Sequence, residues 1–322
     1  NAPADLDFAA KYAKLTTICL SVDPTETSAA STWELNGAHA LESWGDTEAW
    51  DGTWAPMQPM IAPLYDGLSE LEFLTLLAAG PKADDTGTWA KPDGLSLVQE
   101  TWRARIGGGF DRAWRRALHD GTLNSAAPAG QAPALNAGEV ARAVAEMPPA
   151  SAPGSLDAVF MPGQLHDGRF ANLGWLQELP QTGSRVVWDN PALLSPATAA
   201  RLGISPFGYT EKDPNTVYTK GRFPHAHLVK VTVGGRSLEM AAWILPGMAD
   251  DTVILPVGYG REVCGHVGTG VGFNTFRLRS GSGQGATATV AMASGSHLIA
   301  STQTHWALEG RDTILRQRDG GA

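Results

Sequence analysis

Cysteine is nearly absent from this 322-residue chain: only Cys19 and Cys264 occur, and they form no CxxC. Two thiolates alone cannot ligate an iron–sulfur cluster or a cysteine zinc site. A single disulfide fits the count, but nothing in the sequence requires one. Charge is also scarce, with Asp, Glu, Lys and Arg making up 18% of residues against about 25% in ordinary globular proteins. No apolar run approaches the ~20 residues that a membrane-spanning helix needs. HExxH, Gly-x-Ser-x-Gly and a Walker-type Gly-Lys-Ser/Thr are all missing, so no local signature of a zinc protease, an elbow nucleophile or a nucleotide-binding loop is present.

What is abundant is glycine (37) and proline (21), in a chain that is 43% hydrophobic. This is a loop-rich globular composition with enough length for two domains with real cores. The net charge of −9 is concentrated at one end. Residues 1–80 hold 12 acidic side chains and only Lys11 and Lys14 as bases. Residues 121–322 hold 15 of each sign. Nucleic-acid binding needs the opposite sign, which excludes that partner class. The acidic quarter reads either as a solvated face or as a surface for a basic protein partner. Glu42, Asp46, Glu48 and Asp51 are the candidate partner-facing carboxylates.

The pattern of the first 121 residues predicts an α/β region. A helix is expected over 7–14 and a buried β-branched strand over 15–22. Residues 26–66, with Trp33, Trp44, Trp50 and Trp54, read as an aromatic-rich irregular segment over a sheet edge. Its rings are expected to bury against a neighbouring protein or, alternatively, to close the domain's own core. Ser69-Glu70-Leu71-Glu72 is a capping box that starts a leucine-rich helix ended by Gly80-Pro81. Leu95, Val98, Trp102 and Ile106, then Phe110, Trp114, Ala117 and Leu118, mark two amphipathic helices. Residues 122–154 are Ala/Pro-rich and read as a linker with a short helix near 137–146.

From 155 to 322 the texture is β, and a barrel-like domain is expected. A short strand is expected at 158–160, and Ser195-Pro196 reads as a helix start. Gly234-Gly235 is a two-residue hairpin turn between alternating strands. Further strands are expected at 252–257, 275–278, 286–292 and 297–302. Six glycines fall between 258 and 272. They read as barrel corners and bulges rather than as a phosphate cradle, because no helix signal follows Phe273. His225 and His227 would share one side of a strand, but no acid or cysteine lies at ligand spacing. His266, His297 and His305 could join them only by tertiary coincidence. The pairs Asp84-Asp85 and Asp250-Asp251 read as solvated.

Several stretches are more particular than a generic fold demands. They are Asn1-Ala2-Pro3-Ala4-Asp5-Leu6-Asp7-Phe8; His39 through Asp46 with Gln58 through Tyr65; and Trp114 with Leu118-His119-Asp120-Gly121. They continue with Asn172 through Pro180, Trp188-Asp189-Asn190, Ser195 through Gly203, and Leu245 through Asp251. Gly258-Tyr259-Gly260-Arg261 and Gly268 through Asn274 complete the set. In this order, nearly end to end, the chain resembles the molybdopterin-oxidoreductase-like B subunit of bacterial alternative complex III, a quinol:electron-acceptor oxidoreductase. The match is weakest at 81–94, 122–155 and 205–224.

The resemblance implies a molybdopterin-oxidoreductase-type fold that holds no molybdenum cofactor. It implies a peripheral position on the periplasmic face, and a precursor with a twin-arginine signal. The implied partners are a membrane quinol-oxidising subunit, a multihaem cytochrome c subunit, and a ferredoxin-like domain carrying iron–sulfur clusters. The chain departs from the family by starting partway into the molybdopterin-like half. It ends shortly after Glu309-Gly310-Arg311, before any cluster cysteines, so no cluster ligand carries over. The resemblance therefore implies a structural and docking module without a redox centre of its own: no catalytic residue, no metal ligand and no cofactor within the chain. The alternative is a fragment of a catalytic molybdenum-bis-pterin oxidoreductase, in which Gly268, Gly270, Gly272 and Asn274 would touch the pterin.

Overall fold

A computed structural model describes residues 1–80, 90–124, 130, 134–147, 154–205, 225–281 and 286–302. The chain divides into two compact units, Ala9–Met147 and Asn1–Phe8 with Pro148–Ala322. The division falls inside the Ala/Pro-rich stretch. The grouping of the N-terminal eight residues with the second unit is invisible to composition. It rests on backbone and side-chain bonds: Ala4 N–H donates to the Arg279 carbonyl at 2.8 Å, and Gly281 N–H donates to Asp5 at 2.9 Å.

The helix expected over 7–14 is shorter, α1 (Phe8–Tyr12), and leads to β1 (Ile18–Ser21). After α2 (Glu26–Ala29), β2 (Trp33–Asn36) pairs with β1 in parallel, with Ile18 opposite Trp33. Among the described residues this sheet has two strands, and the expectation of a buried strand fails: Leu15, Ile18 and Val22 are exposed. The segment expected to be irregular also contains two more strands. β3 (Gly45–Glu48) and β4 (Thr53–Met57) form an antiparallel hairpin. Its turn closes because Asp51 accepts a bond from Thr53 N–H at 2.9 Å and Gly52 takes φ 82°.

The helices of this unit follow their sequence signals. Ser69 and Glu72 complete the capping box of α3 (Glu70–Ala79). Asp93 caps α4 (Gly94–Ile106), and Gly109 and Gly121 bracket α5 (Phe110–Asp120). β5 (Leu123–Asn124) extends the hairpin sheet beside β4, and α6 (Ala137–Ala145) follows with no buried residue. The core is aromatic. Trp54, Trp102, Phe110 and Trp114 pack with Val98 and Ala117, and Trp44 leans on Trp114 with ring centroids 6.2 Å apart. Trp102 and Trp114 meet edge to face at 5.1 Å. Of the four early tryptophans, Trp44 and Trp54 thus serve this unit's own core, whereas Trp33 and Trp50 are exposed.

The second unit is built on a closed six-stranded barrel. Its elements are β6 (Leu156–Pro162), α7 (Gly174–Glu178), β7 (Val186–Val187), β8 (Ala192–Leu194), α8 (Pro196–Arg201), β9 (His225–Val233), β10 (Arg236–Ile244) and β11 (Thr252–Val257). There follow α9 (Gly265–Gly268), a 3₁₀ turn at Thr275–Arg277, β12 (Ala286–Leu298) and β13 (Ala300–Ser301). Round the barrel the order is β10-β8-β11-β6-β12-β9. β6 with β11 and β8 with β10 run parallel, and the other neighbours run antiparallel. Val229, Val231 and Val233 point inward with Leu194, Met240, Val253 and Leu255, while Lys230 faces out.

Every barrel strand has a paired neighbour on each side, and the turn at Gly234 and Gly235 has positive φ at both residues, as a tight hairpin requires. The strand expected at 275–278 is instead the 3₁₀ turn. Its buried Phe276 and Leu278 imitate strand alternation, but Leu278 N–H bonds back to Thr275 and Thr275 Oγ1 donates to the Pro256 carbonyl. The last two expected strands merge and divide differently. β12 runs from 286 to 298 with an irregularity between Met292 and Ser296, and β13 is a two-residue strand beside β7.

Candidate functional site

The glycine-rich segment 258–274 follows β11 at one end of the barrel unit. Its two arms zip together: Gly260 N–H donates to Val271 at 2.7 Å, and Gly270 N–H donates to Arg261 at 2.8 Å. Two asparagines from other elements hold it. Asn190, fully buried, donates to the carbonyls of Pro256 (2.7 Å) and Phe273 (2.8 Å) and accepts from Phe273 N–H (2.7 Å). Asn172 accepts from Val267 N–H at 3.0 Å. Arg261 donates to the Gly168 carbonyl at 2.7 Å.

The glycines serve this packing. At Gly260, where φ is +71°, an added Cβ would lie 2.1 Å from the backbone nitrogen of Asn274. At Gly272 it would lie 2.5 Å from Asn190 Oδ1, and at Gly268 2.7 Å from the Ala171 carbonyl oxygen. Gly270 alone of these faces open space. Thus Gly268 and Gly272 are filled by the chain itself. Asn274 differs: its Oδ1 is buried without a hydrogen-bond partner. It lines a depression of about 260 Å³ with Gly260, Arg261, Gly270, Phe273 and Arg277.

Beneath this loop lies a pair the sequence does not announce. Asp189, almost wholly buried, meets His297 Nε2 at 2.5 Å across 108 residues of chain. Its other oxygen accepts from Asn190 N–H at 2.8 Å. The bond to Asp189 holds the His297 imidazole above its usual pKa despite partial burial. Phe273 stands edge to face against His297, centroids 5.0 Å apart. Neighbouring Tyr259 is buried, and burial pushes its hydroxyl up to about 12. His297 thus pairs with a carboxylate, and among the described residues it joins no metal set with His225 and His227.

The remaining candidates are dispersed. His227 meets Ser205 at 2.9 Å and His225 meets Ser296 at 3.4 Å. Among the described residues no three of His, Cys, Asp and Glu stand together as a metal site. Neither Cys19 nor Cys264 is in a disulfide. Asp250, expected to be only solvated, bonds to Ser195 Oγ at 2.5 Å, and Asp251 pairs with Arg201. His305, Asp84-Asp85 and Glu309-Gly310-Arg311 lie outside the described residues.

Each of the four acidic candidates is engaged within its own unit. Glu42 accepts from His39 N–H (2.9 Å) and Leu64 N–H (3.2 Å), which hold its carboxyl below the usual range. Asp46 accepts from the Trp102 indole N–H at 2.8 Å. Glu48 is lowered by the Trp54 side chain and by Arg105, whose nitrogen lies 2.9 Å away. Asp51 is lowered by the Thr53 N–H of the hairpin turn. These carboxylates therefore have structural tasks that charge counting alone does not reveal.

No family model and no curated protein matches the chain. Among solved structures it is similar to acetylene hydratase from Pelobacter acetylenicus, with a TM-score of 0.54 and 16% identity over 86% of this chain and 40% of that one. The chain thus spans about two fifths of the length of that structure. At this identity the likeness concerns the fold alone: an α/β part and a closed six-stranded barrel. No described helix is long and apolar enough to cross a membrane.

The sequence resemblance raises the question of a pterin, and the glycines of the 258–274 loop are accounted for by contacts within the chain. At Gly260, Gly272 and Gly268 an added Cβ would meet the chain's own atoms at 2.1 to 2.7 Å, whereas Gly270 faces open space. The depression beside them, about 260 Å³, falls below the ~300 Å³ at which small-molecule pockets begin.

Proposed function

We propose that this chain is a structural and docking module of alternative complex III, a quinol:cytochrome c (or other periplasmic acceptor) oxidoreductase, and that it carries no redox cofactor of its own. The observation that supports this reading is the packed glycine loop: atoms of Asn274, Asn190 and Ala171 stand where a Cβ would lie at Gly260, Gly272 and Gly268, so these glycines have a packing role within the chain. The ordered motif resemblance supplies the family, and the barrel fold agrees with it at the coarser level of architecture.

In this reading quinol is oxidised on a membrane partner, and electrons pass through clusters on a ferredoxin-like iron–sulfur domain to a multihaem cytochrome c subunit, all on the periplasmic face. Electron transfer through protein falls steeply with distance, so the cofactors must be held at fixed short spacings. Two well-packed units, one cored by tryptophans packed edge to face and one by a closed barrel, are suited to that task.

The second reading, a fragment of a catalytic molybdenum-bis-pterin oxidoreductase, draws on Asn274, whose side-chain oxygen is buried and unpartnered beside the depression. Isolation of the tagged full chain from its native membranes in mild detergent separates the two. The proposal expects a haem-rich assembly with iron–sulfur signals and quinol:acceptor activity. A chain that purifies alone with stoichiometric molybdenum or tungsten, or that turns over substrate without companions, contradicts it.

A further inference from the structure

Among the described residues, helix α6 (Ala137–Ala145) buries none of its side chains: every residue from 134 to 147 is exposed. Its sequence is nevertheless amphipathic. At about 3.6 residues per turn, Ala137, Val140, Ala141 and Val144 fall on one side and Glu139 and Arg142 on the other. Helical backbone at Glu146, and the bond from Met147 N–H to the Val144 carbonyl at 3.2 Å, extend both stripes by one residue. The apolar stripe therefore belongs to a single face, fixed by the helix itself. Val144 is 61% exposed and Met147 66%. A surface helix normally turns such a stripe onto a core. Nine residues are also fewer than the ~12–15 that a helix needs to persist alone in water. Asn136 accepts from Glu139 N–H at 3.2 Å and Glu139 pairs with Arg142 at 2.6 Å, but these bonds cover no apolar surface. The i, i+3, i+4 and i+7 spacing of Ala137, Val140, Ala141 and Val144 is the one by which a helix seats in another protein's groove.

Charge and size select the occupant. The residues beside the helix that lie outside the described set, 125–129, 131–133 and 148–153, are uncharged. From 121 to 156 the charged side chains are Glu139, Arg142 and Glu146. Arg142 is taken by Glu139, and among the described residues Glu146 meets no cation. Glu146 also stands at the C-cap, the negative end of the helix dipole, where a lysine or arginine is favoured over a carboxylate. A cation supplied from outside the chain answers both. A bilayer surface suits a helix with a basic polar face and bulky or aromatic apolar residues, whereas α6 has two acids to one base and mostly alanine and valine. A second copy of a helix about 14 Å long and about 10 Å wide offers far less than the ~800 Å² per partner of a stable interface. A groove encloses three sides of the same helix. We infer that α6 docks through Val140, Val144 and Met147 into an apolar groove of a different protein, which places a lysine or arginine at the end that receives Glu146. This rests on the docking reading above and names the element that performs it.

The test introduces a photo-cross-linking residue at position 144, or separately at position 142, of the full chain in its native host, with adducts identified by mass spectrometry. Position 144 should join to apolar residues of another protein near a Lys or Arg, and position 142, on the polar side, should give several-fold less. E146K, which suits the helix dipole better, should lower the yield at position 144 several-fold. Equal yields at the two positions, no adduct at 144, no effect of E146K, or adducts to a second copy, to lipid or to this chain overturn the inference. In parallel, V140A/V144A raises helix propensity while shortening the anchors, and should lower recovery of the assembled complex several-fold with tryptophan fluorescence unchanged. If that variant assembles at the wild-type level, this face is wrong and the docking reading stands. If the unaltered chain purifies without companions, the docking reading itself falls.

Discussion

At the scale of single residues, the Asp189–His297 pair gives the second unit a pH dependence of definite sign. The bond raises the imidazole pKa in the folded state. Its stabilisation is therefore complete below the unfolded value of about 6.5 and is lost as pH rises through the raised folded value. Urea midpoints measured from about pH 6 to pH 9 should fall for the wild type and fall less for H297Q. Equal slopes would show that the pair contributes nothing. Gly260 supplies a second residue-level contrast. G260A places a Cβ 2.1 Å from backbone at positive φ, and the expected cost is about 2–4 kcal/mol. G270A, at positive φ but in open space, should cost only about 1 kcal/mol. Chemical denaturation compares the two directly. Trp102, fully buried with its N–H on Asp46, should lose about 2 kcal/mol as W102F, through a small cavity and a lost bond.

At the scale of elements, what was legible in the sequence was what short-range chemistry decides. The capping boxes and caps at Ser69 and Ser195, the glycine brackets of α5, and the Gly234-Gly235 hairpin all appear where their residues demand. S69A should cost about 1 kcal/mol, and it should also speed amide exchange in the first turn of α3, since Glu72 N–H then loses its acceptor. Where long-range pairing decides, the pattern misleads. β1 looks like a core strand but among the described residues pairs only with β2, so Ile18 stays exposed and Cys19 and Leu20 are only half-buried. Phe276 and Leu278 alternate like a strand within a 3₁₀ turn. β3 and β4 carry Gly, Asp, Glu and Pro and lack a strand signal; the tryptophan core beneath them draws the hairpin into place.

At the scale of the whole molecule, the α/β part and the barrel were legible from texture, because a closed barrel needs short alternating strands with glycine at the corners. The barrel's parallel contacts were not. β6 and β11 pair at residues nearly a hundred apart, as Asp157 with Thr252, and no local signal encodes that closure. The same holds for Asp189 and His297, which only the finished barrel unit brings together. The acidic candidates show the converse limit: Glu42, Asp46, Glu48 and Asp51 were readable as charge, but their partners His39, Trp102, Arg105 and Thr53 were not.

The central claim, that this polypeptide positions redox centres belonging to others, is tested most directly by metal and pterin analysis of the full chain purified from its native source, after separation from any companions. The account predicts only traces of molybdenum, tungsten and pterin in a fully folded chain. A stoichiometric pterin-bound metal would contradict it.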